Sequence, residues 1–287
     1  MVGCLSKGFD IKQLRPSDLT PVAAPRAIGA VALALAPRGG ATRVANLRQS
    51  GCLKCILPRV FGPQAEAVVV NTAGGVTGGD DLDLRITLAG GSDVRVTTQA
   101  AERIYRSADG TPGRIATRVE VGAGARLHWL PQETILFDRA ALDRRLHISL
   151  APDARLLAVE THVMGRAAMG EVVHDLALHD RIAVDRVGVP LVRDGVRLHG
   201  DADAVLAAAA TGGGAGAIAT LIYVAPDAAA QLPAIRAMLP ETAGVSLRGE
   251  DTLLLRALAP DSLSLRRGMI PVLERLATHS LPSVWRL

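Results

Sequence analysis

The chain has 287 residues, and its 32 basic and 28 acidic residues leave a formal net charge of +4. It contains only two Trp, two Tyr and three Phe, and no basic cluster is interleaved with them, which disfavours nucleic acid as a partner. The longest apolar run, 27–36, has about half the length of a membrane-spanning helix, which disfavours a membrane partner. Three cysteines are too few for a disulfide framework, so we expect a cytoplasmic protein.

The first predicted element is a loose N-terminal arm, 1–25, because this segment mixes Pro, Asp, Ser and Lys without periodicity. From residue 26 to about residue 199, short alternating segments are separated by Gly, Pro or Asp, a pattern typical of β-strands. We therefore predict a mainly β fold in a single domain, 26–287. A stack of short strands, 26–211, precedes a small C-terminal α/β appendage, 212–287, with about two helices.

A glycine-rich loop interrupts the strand pattern at residues 71–80. Between Asn71 and Asp80 it contains two glycine pairs: Gly74, Gly75, Gly78 and Gly79. Apolar and polar residues then alternate over 82–88, as in a half-buried strand. No Lys-Ser or Lys-Thr pair follows the last glycine and no helix is predicted there, so the loop is not a phosphate loop. We predict that it joins two strands and takes part in binding.

A weak internal repeat indicates how the strands are arranged. The segments 94–99, 127–132 and 156–160 are similar, recur at offsets of about 33 and 29 residues, and each follows a turn. Repeats of this length are typical of successive coils that stack their strands, as in a β-helix or an elongated two-sheet sandwich. Chance similarity among short apolar segments is the alternative.

The last part of the chain changes character after the glycine-rich segment 212–216. The predicted elements are strand 217–224, helix 227–239, strand 251–258 and helix 263–278. Pro271 lies inside the last segment, so a later start of this helix, at Pro271, is the alternative. Trp285, close to the terminus, is expected to dock against its own domain.

Four glutamates lie in polar segments of the predicted stack: Glu102, Glu133, Glu160 and Glu171. Buried carboxylates are costly unless they meet hydrogen-bond donors, a counter-ion or a metal ion. Three interpretations stay open: they bind a divalent ion, pair with the abundant arginines, or act as the paired carboxylates of a β-helical hydrolase. His162 is a further candidate because carboxylates flank it at positions 160 and 171.

Cys52 and Cys55 have the spacing of half a zinc site. No second pair of Cys or His has a matching spacing, and residues three apart on a strand point to opposite faces. The sequence therefore gives little support for a metal-binding or redox role of this pair.

Four motifs together closely resemble the urease accessory protein UreD family, called UreH in some bacteria. They are the segments 71–80, 97–106, 130–137 and 165–171. The resemblance implies a β-rich fold with few helices and a scaffold rather than an enzyme. It also implies that the chain binds UreF, UreG and the urease apoprotein and assists GTP-dependent delivery of nickel, with no tightly bound cofactor and only transient nickel(II).

The resemblance further implies an internal polar passage for nickel. Its matching acidic positions would act as weak, successive oxygen ligands: Asp80, Glu102, Glu133, Glu160 and Glu171. We also predict binding roles for a set of residues in and near these motifs: Asn71, Gly74, Gly75, Gly78, Gly79, Thr98, Gln99, Arg103, Tyr105, Gln132, His162 and Arg166. The rival hypothesis from another functional class remains the β-helical hydrolase with paired carboxylates.

Overall fold

The computed structural model describes residues 25–286, and this part of the chain contains 17 β-strands and three α-helices. Seven strands form one sheet, in the spatial order β14 (Val189–Gly200), β13 (Leu176–Arg186), β11 (Ala141–Leu150), β8 (Gly113–Val121), β5 (Asp81–Leu88), β1 (Ile28–Arg38) and β2 (Ala41–Gly51). Eight strands of a second, ten-stranded sheet have the order β16 (Ala243–Arg248), β17 (Thr252–Ala259), β15 (Ala217–Val224), β12 (Arg155–Met164), β9 (Arg126–Trp129), β6 (Asp93–Thr98), β4 (Ala65–Asn71) and β3 (Leu53–Ile56). The prediction of a mainly β fold is confirmed.

The chain winds as a solenoid because it passes repeatedly from the ten-stranded to the seven-stranded sheet. β4 leads to β5, β6 to β8, β9 to β11, and β12 to β13, and equivalent strands of successive coils are parallel. Val94 pairs with Leu127, and Leu127 pairs with Leu156. The predicted repeat is therefore the register of the stacked coils, and the two sheets are their broad sides.

Each coil also has a short third side between the two sheets, which we call the narrow face. It contains Val76 of the glycine-rich loop, the short strands β7 (Glu102–Ile104) and β10 (Thr134–Leu136), and the end of β12. Val76 bridges Ile104 in parallel, and β10 pairs in parallel with both β7 and β12. The four motif segments therefore lie at or beside the narrow face, on consecutive coils.

The main core lies between the sheets because alternate residues of each strand point inward. In β1, for example, Val31 and Leu33 are buried whereas Ala32 is exposed. β15 is buried along its whole length, since α2 (Ala228–Met238) and α3 (Ser262–Leu276) pack on the outer side of the ten-stranded sheet. A second apolar cluster under these helices fixes the C-terminal part to the solenoid.

The predicted order of strand, helix, strand and helix after residue 212 is confirmed by β15, α2, β17 and α3. The sequence pattern does not predict β16 or the short helix α1 (Ala202–Ala207). β16 does alternate, with Val245 buried and Leu247 partly buried between exposed Ser246 and Arg248, but at six residues the pattern is short and was not recognised as a strand. α1 has only six residues, too few to show a helical period.

The last helix follows the predicted segment 263–278 closely, and the alternative that it begins at Pro271 is wrong. α3 begins at Ser262 and contains Pro271 in its interior. The Asp261 carboxylate accepts a hydrogen bond of 2.8 Å from the Ser264 amide, which caps the helix at its observed start. Burial of Leu265 and Met269 in the turns before the proline favours helix there, despite the donor that proline lacks.

β15 pairs with β12, so the chain after residue 212 continues the ten-stranded sheet. The division at residues 211 and 212 stays a prediction. The predicted arm, 1–25, lies outside the described residues apart from Pro25. In the described range of the chain, no helix is long and apolar enough to cross a membrane.

Candidate functional site

A ladder of three polar side chains lies inside the narrow face. Glu102 on β7 is level with Thr134 on β10, and Thr134 is level with His162 on β12. Thr134 and His162 are buried, and Glu102 is partly buried. Side chains alternate along a strand, so Arg103, the next residue on β7, points outward and is exposed. The coil register thus converts residues far apart in sequence into one continuous polar row.

Glu102 occupies the outer end of this ladder. The side-chain amide of Asn71 donates to its Oε1 over 3.2 Å and also donates to the Gly75 carbonyl over 3.1 Å, so one amide joins the glutamate to the glycine-rich loop. Within residues 25–286, no lysine or arginine forms an ion pair with Glu102. Burial raises the pKa of Glu102 to about 7, against the opposing hydrogen bonds from Asn71 and from the backbone of Arg103.

A buried cluster of charged groups lies at the inner end of the ladder, with Arg144 of β11 at its centre. The Arg144 guanidinium binds both oxygens of Asp180 on β13, over 2.9 and 2.8 Å. It also donates to Thr134 Oγ1 over 2.9 Å, and its Nη1 lies 2.8 Å from Glu160 Oε2. The indole of Trp129 donates to the other Glu160 oxygen over 2.7 Å. One arginine therefore links the two sheets and the narrow face.

His162 completes this cluster. Its Nε2 lies 3.1 Å from Arg144 Nη2 and 3.1 Å from Asp180 Oδ2. His162, Asp180 and Glu160 are all buried, so the cluster is held away from bulk water. In this setting hydrogen bonds are strong and an unpaired charge is costly.

The two carboxyl groups bound to Arg144 have opposite pKa shifts. Desolvation tends to raise the pKa of Asp180, but the Arg144 charge and the hydrogen bonds from His162 and Arg144 hold it well below its ordinary value. Desolvation raises the pKa of Glu160, helped by the nearby Asp180 charge, although Arg144 opposes the shift. Asp180 is therefore the main counter-ion of Arg144, whereas burial favours the protonated form of Glu160.

A cavity of about 80 Å³ between the sheets is lined by both Glu102 and Glu160. This volume is large enough for a few water molecules. Trp129, Gln132, Thr134 and Arg144 also line it. Glu160 Oε2 lies 2.8 Å from Arg144 Nη1, so the guanidinium charge already compensates this buried oxygen.

An outer cleft of about 140 Å³ lies on the other side of Glu102. Its further lining includes Asn71, Gly74, Gln99 and Arg103. The cleft and the cavity share four lining residues: Leu53, Val69, Thr98 and Glu102. Glu102 is the one ionisable group in that shared set, so it stands between the outer cleft and the inner cavity.

Two other predicted acidic residues bind the backbone of loops. The Asp80 carboxylate accepts hydrogen bonds from the amides of Ala27, over 2.7 Å, and Thr77, over 2.8 Å. The Glu171 carboxylate accepts from the amide of Asp138 over 3.2 Å and from Nε of Arg166 over 2.7 Å. These contacts close the glycine-rich loop and the loop after β12.

Glu133 and Gln132 are bound by Arg266 of α3. Arg266 Nη1 donates to one oxygen of each side chain over 2.9 Å. The Arg266 guanidinium also lies 4.6 Å from the centre of the Trp285 ring, whose indole nitrogen donates to the Leu130 carbonyl over 2.9 Å. The expectation that Trp285 docks against its own domain is confirmed, and it docks beside the segment 130–137.

The glycines of the loop allow a close approach to the neighbouring coil. Gly75 has a φ of 152°, and a Cβ built there would lie 2.4 Å from the Tyr105 ring. A Cβ on Gly78 would lie 2.3 Å from the Ser107 hydroxyl. Larger residues at these two positions would separate the loop from β7.

The structure brings together only part of the predicted site. Glu102, Glu160, Gln132 and Thr98 line the cavity, whereas Gln99 is exposed at the cleft. Over residues 25–286, no three His, Cys, Asp or Glu side chains converge as metal ligands. For Asp80, Glu133 and Glu171, metal binding stays a prediction.

The cysteine pair lies apart from the ladder. Cys55 is buried in β3, and burial raises the pKa of its thiol to about 11. Desolvation also raises the pKa of Cys52, which is partly buried. Both thiols therefore favour the protonated form, which is a poor metal ligand.

Sequence reasoning missed Arg144, Asp180 and Trp129. A signal for the first two is present in the strand pattern. Arg144 follows Leu142 and precedes Leu146 in the inward phase of β11, and Asp180 occupies the equivalent phase of β13. A charged residue in the buried phase of a strand requires a buried partner, so such residues mark a polar cluster inside a core.

Comparisons with known proteins agree with the motifs at the narrow face. A model of the family described as UreD urease accessory protein matches residues 27–286. The chain is 47% identical to the urease accessory protein UreD of Ruegeria pomeroyi over 249 residues, which cover 87% of this chain and 97% of that protein. It is 43% identical to the protein of that name from Roseobacter denitrificans, with coverage of 93% and 98%. The chain therefore belongs to the UreD family of urease accessory proteins.

Proposed function

We propose that this chain is a non-enzymatic scaffold that works with UreF and UreG in the cytoplasm to deliver nickel(II) to the urease apoprotein. The observation that carries the proposal is the position of Glu102. This carboxyl group lies between the outer cleft and the inner cavity, on the face where the four family motifs meet. A cation that moved from cleft to cavity would pass it.

The chemistry of the ladder suits transit better than storage. Glu102 at its outer end is a single carboxyl group with a raised pKa, and the pKa of Glu160, beside its inner end, is raised as well. At Glu102 a proton therefore competes with a cation near neutral pH. Competition of this kind, and the small number of ligands at each step, would keep nickel binding weak enough for release.

The contacts of the other carboxylates support the non-enzymatic role over the hydrolase alternative. Glu133 pairs with Arg266, Glu160 lies against Arg144, and Glu171 pairs with Arg166. A glycosidase-type mechanism needs two carboxyl groups facing one substrate, one of them free to donate a proton. In the described residues, the exposed cleft presents Glu102 without a second carboxyl group among its lining residues.

The test is urease activation in cells that express a complete urease gene set at limiting nickel. Deletion of this chain should abolish activity, and wild-type complementation should restore it. Glu102→Gln should reduce activity about tenfold, as expected when a charged ligand contact worth about 1.4 kcal/mol is removed. Glu120→Gln, at an exposed position on the seven-stranded sheet, is the matched control.

Nickel content of the purified urease and co-purification of the accessory proteins separate the outcomes. Full urease activity without this chain would overturn the proposal. Full activity with Glu102→Gln would overturn the route past Glu102, provided that the variant still assembles. Turnover of a glycoside by the purified chain alone would favour the hydrolase.

A further inference from the structure

The guanidinium group of Arg266 on α3 is surrounded by oxygen atoms. Its Nη1 donates to Gln132 Oε1 and to Glu133 Oε1, each over 2.9 Å, and its Nη2 donates to the Val284 carbonyl over 2.6 Å. The Ser262 hydroxyl donates to the same Glu133 oxygen over 3.3 Å. Three oxygen atoms from separate parts of the chain therefore face one cationic group. We call these three atoms, Gln132 Oε1, Glu133 Oε1 and the Val284 carbonyl oxygen, the Arg266 site.

Gln132 connects the Arg266 site with the inner cavity. Its side chain lines the cavity, the residue is only 8% exposed, and its oxygen binds Arg266. Because a guanidinium group only donates hydrogen bonds, this contact fixes which end of the amide is the oxygen. In residues 25–286, the buried nitrogen at the other end, Nε2, has no hydrogen-bond acceptor. A buried donor without an acceptor is costly, so Gln132 is an unsatisfied part of the cavity wall.

We propose that the Arg266 site is a second cation site of the passage, which the guanidinium group occupies until nickel(II) displaces it. Carboxylate, amide and backbone carbonyl oxygens are ligands of divalent cations, and as hard ligands they hold nickel weakly enough for release. Rotation of the Gln132 amide would present its oxygen first to a cation in the cavity and then to the same cation beside Glu133. The inference rests on the proposed function, because it requires that nickel reaches the cavity past Glu102.

Arg266 closes the site but is able to leave it. The guanidinium lies 4.6 Å from the centre of the buried Trp285 ring and forms an ion pair with Glu133, so it has a defined position. The side chain of Arg266 still keeps 11% of its surface exposed, and its charge is carried on a long stem of single bonds. The guanidinium therefore has a route to water. A divalent cation would bring Glu133 more positive charge than the guanidinium removes.

The alternative is a purely structural ion pair between Arg266 and Glu133. Loss of the arginine would then leave a largely buried carboxylate without its counter-ion and would lower stability. A structural pair predicts no role for the Gln132 amide in nickel binding. The cation site predicts that Gln132 and Glu133 are both required, so the two interpretations differ in a measurable quantity.

The test is calorimetric titration of the purified full chain with nickel(II) chloride at pH 7. Arg266→Met removes the competing guanidinium, so we expect nickel affinity to rise about tenfold. Arg266→Met/Glu133→Gln and Arg266→Met/Gln132→Leu should each lose this gain, because each removes one oxygen ligand. Arg267→Met is the matched control, since Arg267 is the next residue on α3 and is exposed. Its nickel affinity should equal that of the wild type.

Arg266→Lys is a milder replacement in case Arg266→Met does not fold. Lysine keeps a positive charge beside Glu133 but lacks the planar fork that binds several oxygen atoms at once, so the gain in nickel affinity should be smaller. Circular dichroism and thermal unfolding show which variants are folded. If the folded Arg266 variants bind nickel no more tightly than the wild type, or if the gain persists in both double variants, Arg266 is a structural ion pair and the inference is wrong.

Failure of the proposed function has a different signature. It would appear as full urease activity in cells without this chain, and it would overturn the role of the Arg266 site in transit. The supporting result is a gain in nickel affinity that requires both Gln132 and Glu133, together with urease that stays inactive when this chain is deleted.

Discussion

The acidic groups inside the narrow face differ from those in its loops in what their oxygens bind. Inside, Glu102 and Glu160 line a cavity; Glu160 lies against Arg144, whereas Glu102 has no ion-pair partner within residues 25–286. In the loops, Asp80 binds the amides of Thr77 and of the distant Ala27, and Glu171 binds those of Arg166 and of Asp138 on the neighbouring coil. All four residues belong to polar segments that look equivalent in sequence. Their hydrogen-bond partners, and not their motif positions, distinguish a group that can receive a cation from one that holds a loop.

The pKa shifts follow the same division. Burial raises the pKa of Glu102 to about 7 and raises that of Glu160. Burial also tends to raise the pKa of Glu171, but hydrogen bonds from Arg166 and Asp138 outweigh this tendency and lower the pKa. Glu102 therefore exchanges protons near neutral pH, whereas the Glu171 loop carboxylate stays ionised. This contrast can be tested by substitutions in each region.

The largest loss of stability should come from substitution of Arg144, at the centre of the buried cluster. Arg144→Met would leave the Asp180 carboxylate buried without its counter-ion, so we expect a loss of about 3–5 kcal/mol in the free energy of unfolding. Urea unfolding at pH 7 measures it. Arg145→Met is the control, because Arg145 is the next residue on β11 and its side chain is 57% exposed. A loss below about 1 kcal/mol for Arg144→Met would contradict the cluster as a stabilising centre.

Glu102 should make the stability of the fold depend on pH, with an effect of intermediate size. Its pKa in the folded protein, about 7, exceeds its ordinary value of 4.5, so the folded state binds more protons between these values. Stability should therefore be highest at low pH within this window and fall as pH rises through about 7, by up to about 3 kcal/mol. Glu102→Gln should flatten this slope. Equal pH slopes for the wild type and the variant between pH 5 and 8 would show that Glu102 is not desolvated.

Nickel affinity should change with pH in the opposite direction. Only ionised Glu102 is a cation ligand, so the chain should bind nickel more weakly below pH 7, by about tenfold for each pH unit. Titration of the purified chain with nickel between pH 5.5 and 7.5 tests this expectation, with Glu102→Gln as the reference that lacks the slope.

Much of the solenoid could be predicted from sequence because the coil register follows local alternation. The pairing of Val94 with Leu127 and Leu156 appears in sequence as a repeat. The narrow face could not be predicted in the same way. β7 and β10 have three residues each, too few for a periodic signal, and their pairing depends on the coils on either side.

The candidate site shows the same limit. Glu160 and His162 were identifiable as polar residues within an apolar segment. The role of Glu160, however, depends on Arg144 and Asp180 from the opposite sheet, which lie 16 and 20 residues away in sequence. Nor does any local pattern reveal that Arg266 of the last helix binds Glu133. Partners from distant coils decide which carboxylates are free, and sequence separation hides those partners.

Among the loop carboxylates, Asp80 should give the larger change in stability. Its two oxygens accept from Ala27 and Thr77, and the residue is buried. Asp80→Asn would place an amide NH₂ against one of these donors, so we expect a loss of about 2 kcal/mol. Thermal unfolding measures the loss, and Asp81→Asn, at a more exposed neighbouring position, is the control. An unchanged melting temperature would mean that the loop does not need this carboxylate.

Substitution of Glu171 should have the smallest effects on stability and on nickel loading of urease. Its carboxylate accepts from the Arg166 and Asp138 amides at the protein surface, where water can replace part of these contacts, so Glu171→Gln should cost about 1 kcal/mol. Since the side chain is outside the residues that line the cavity, nickel loading of urease should stay within about twofold of the wild type. Loading is measured as nickel per urease active site under the limiting-nickel conditions used for Glu102→Gln. If Glu171→Gln left stability unchanged but reduced loading as strongly as Glu102→Gln, Glu171 would belong with the cation ligands, and the distinction between the interior and the loops would not hold.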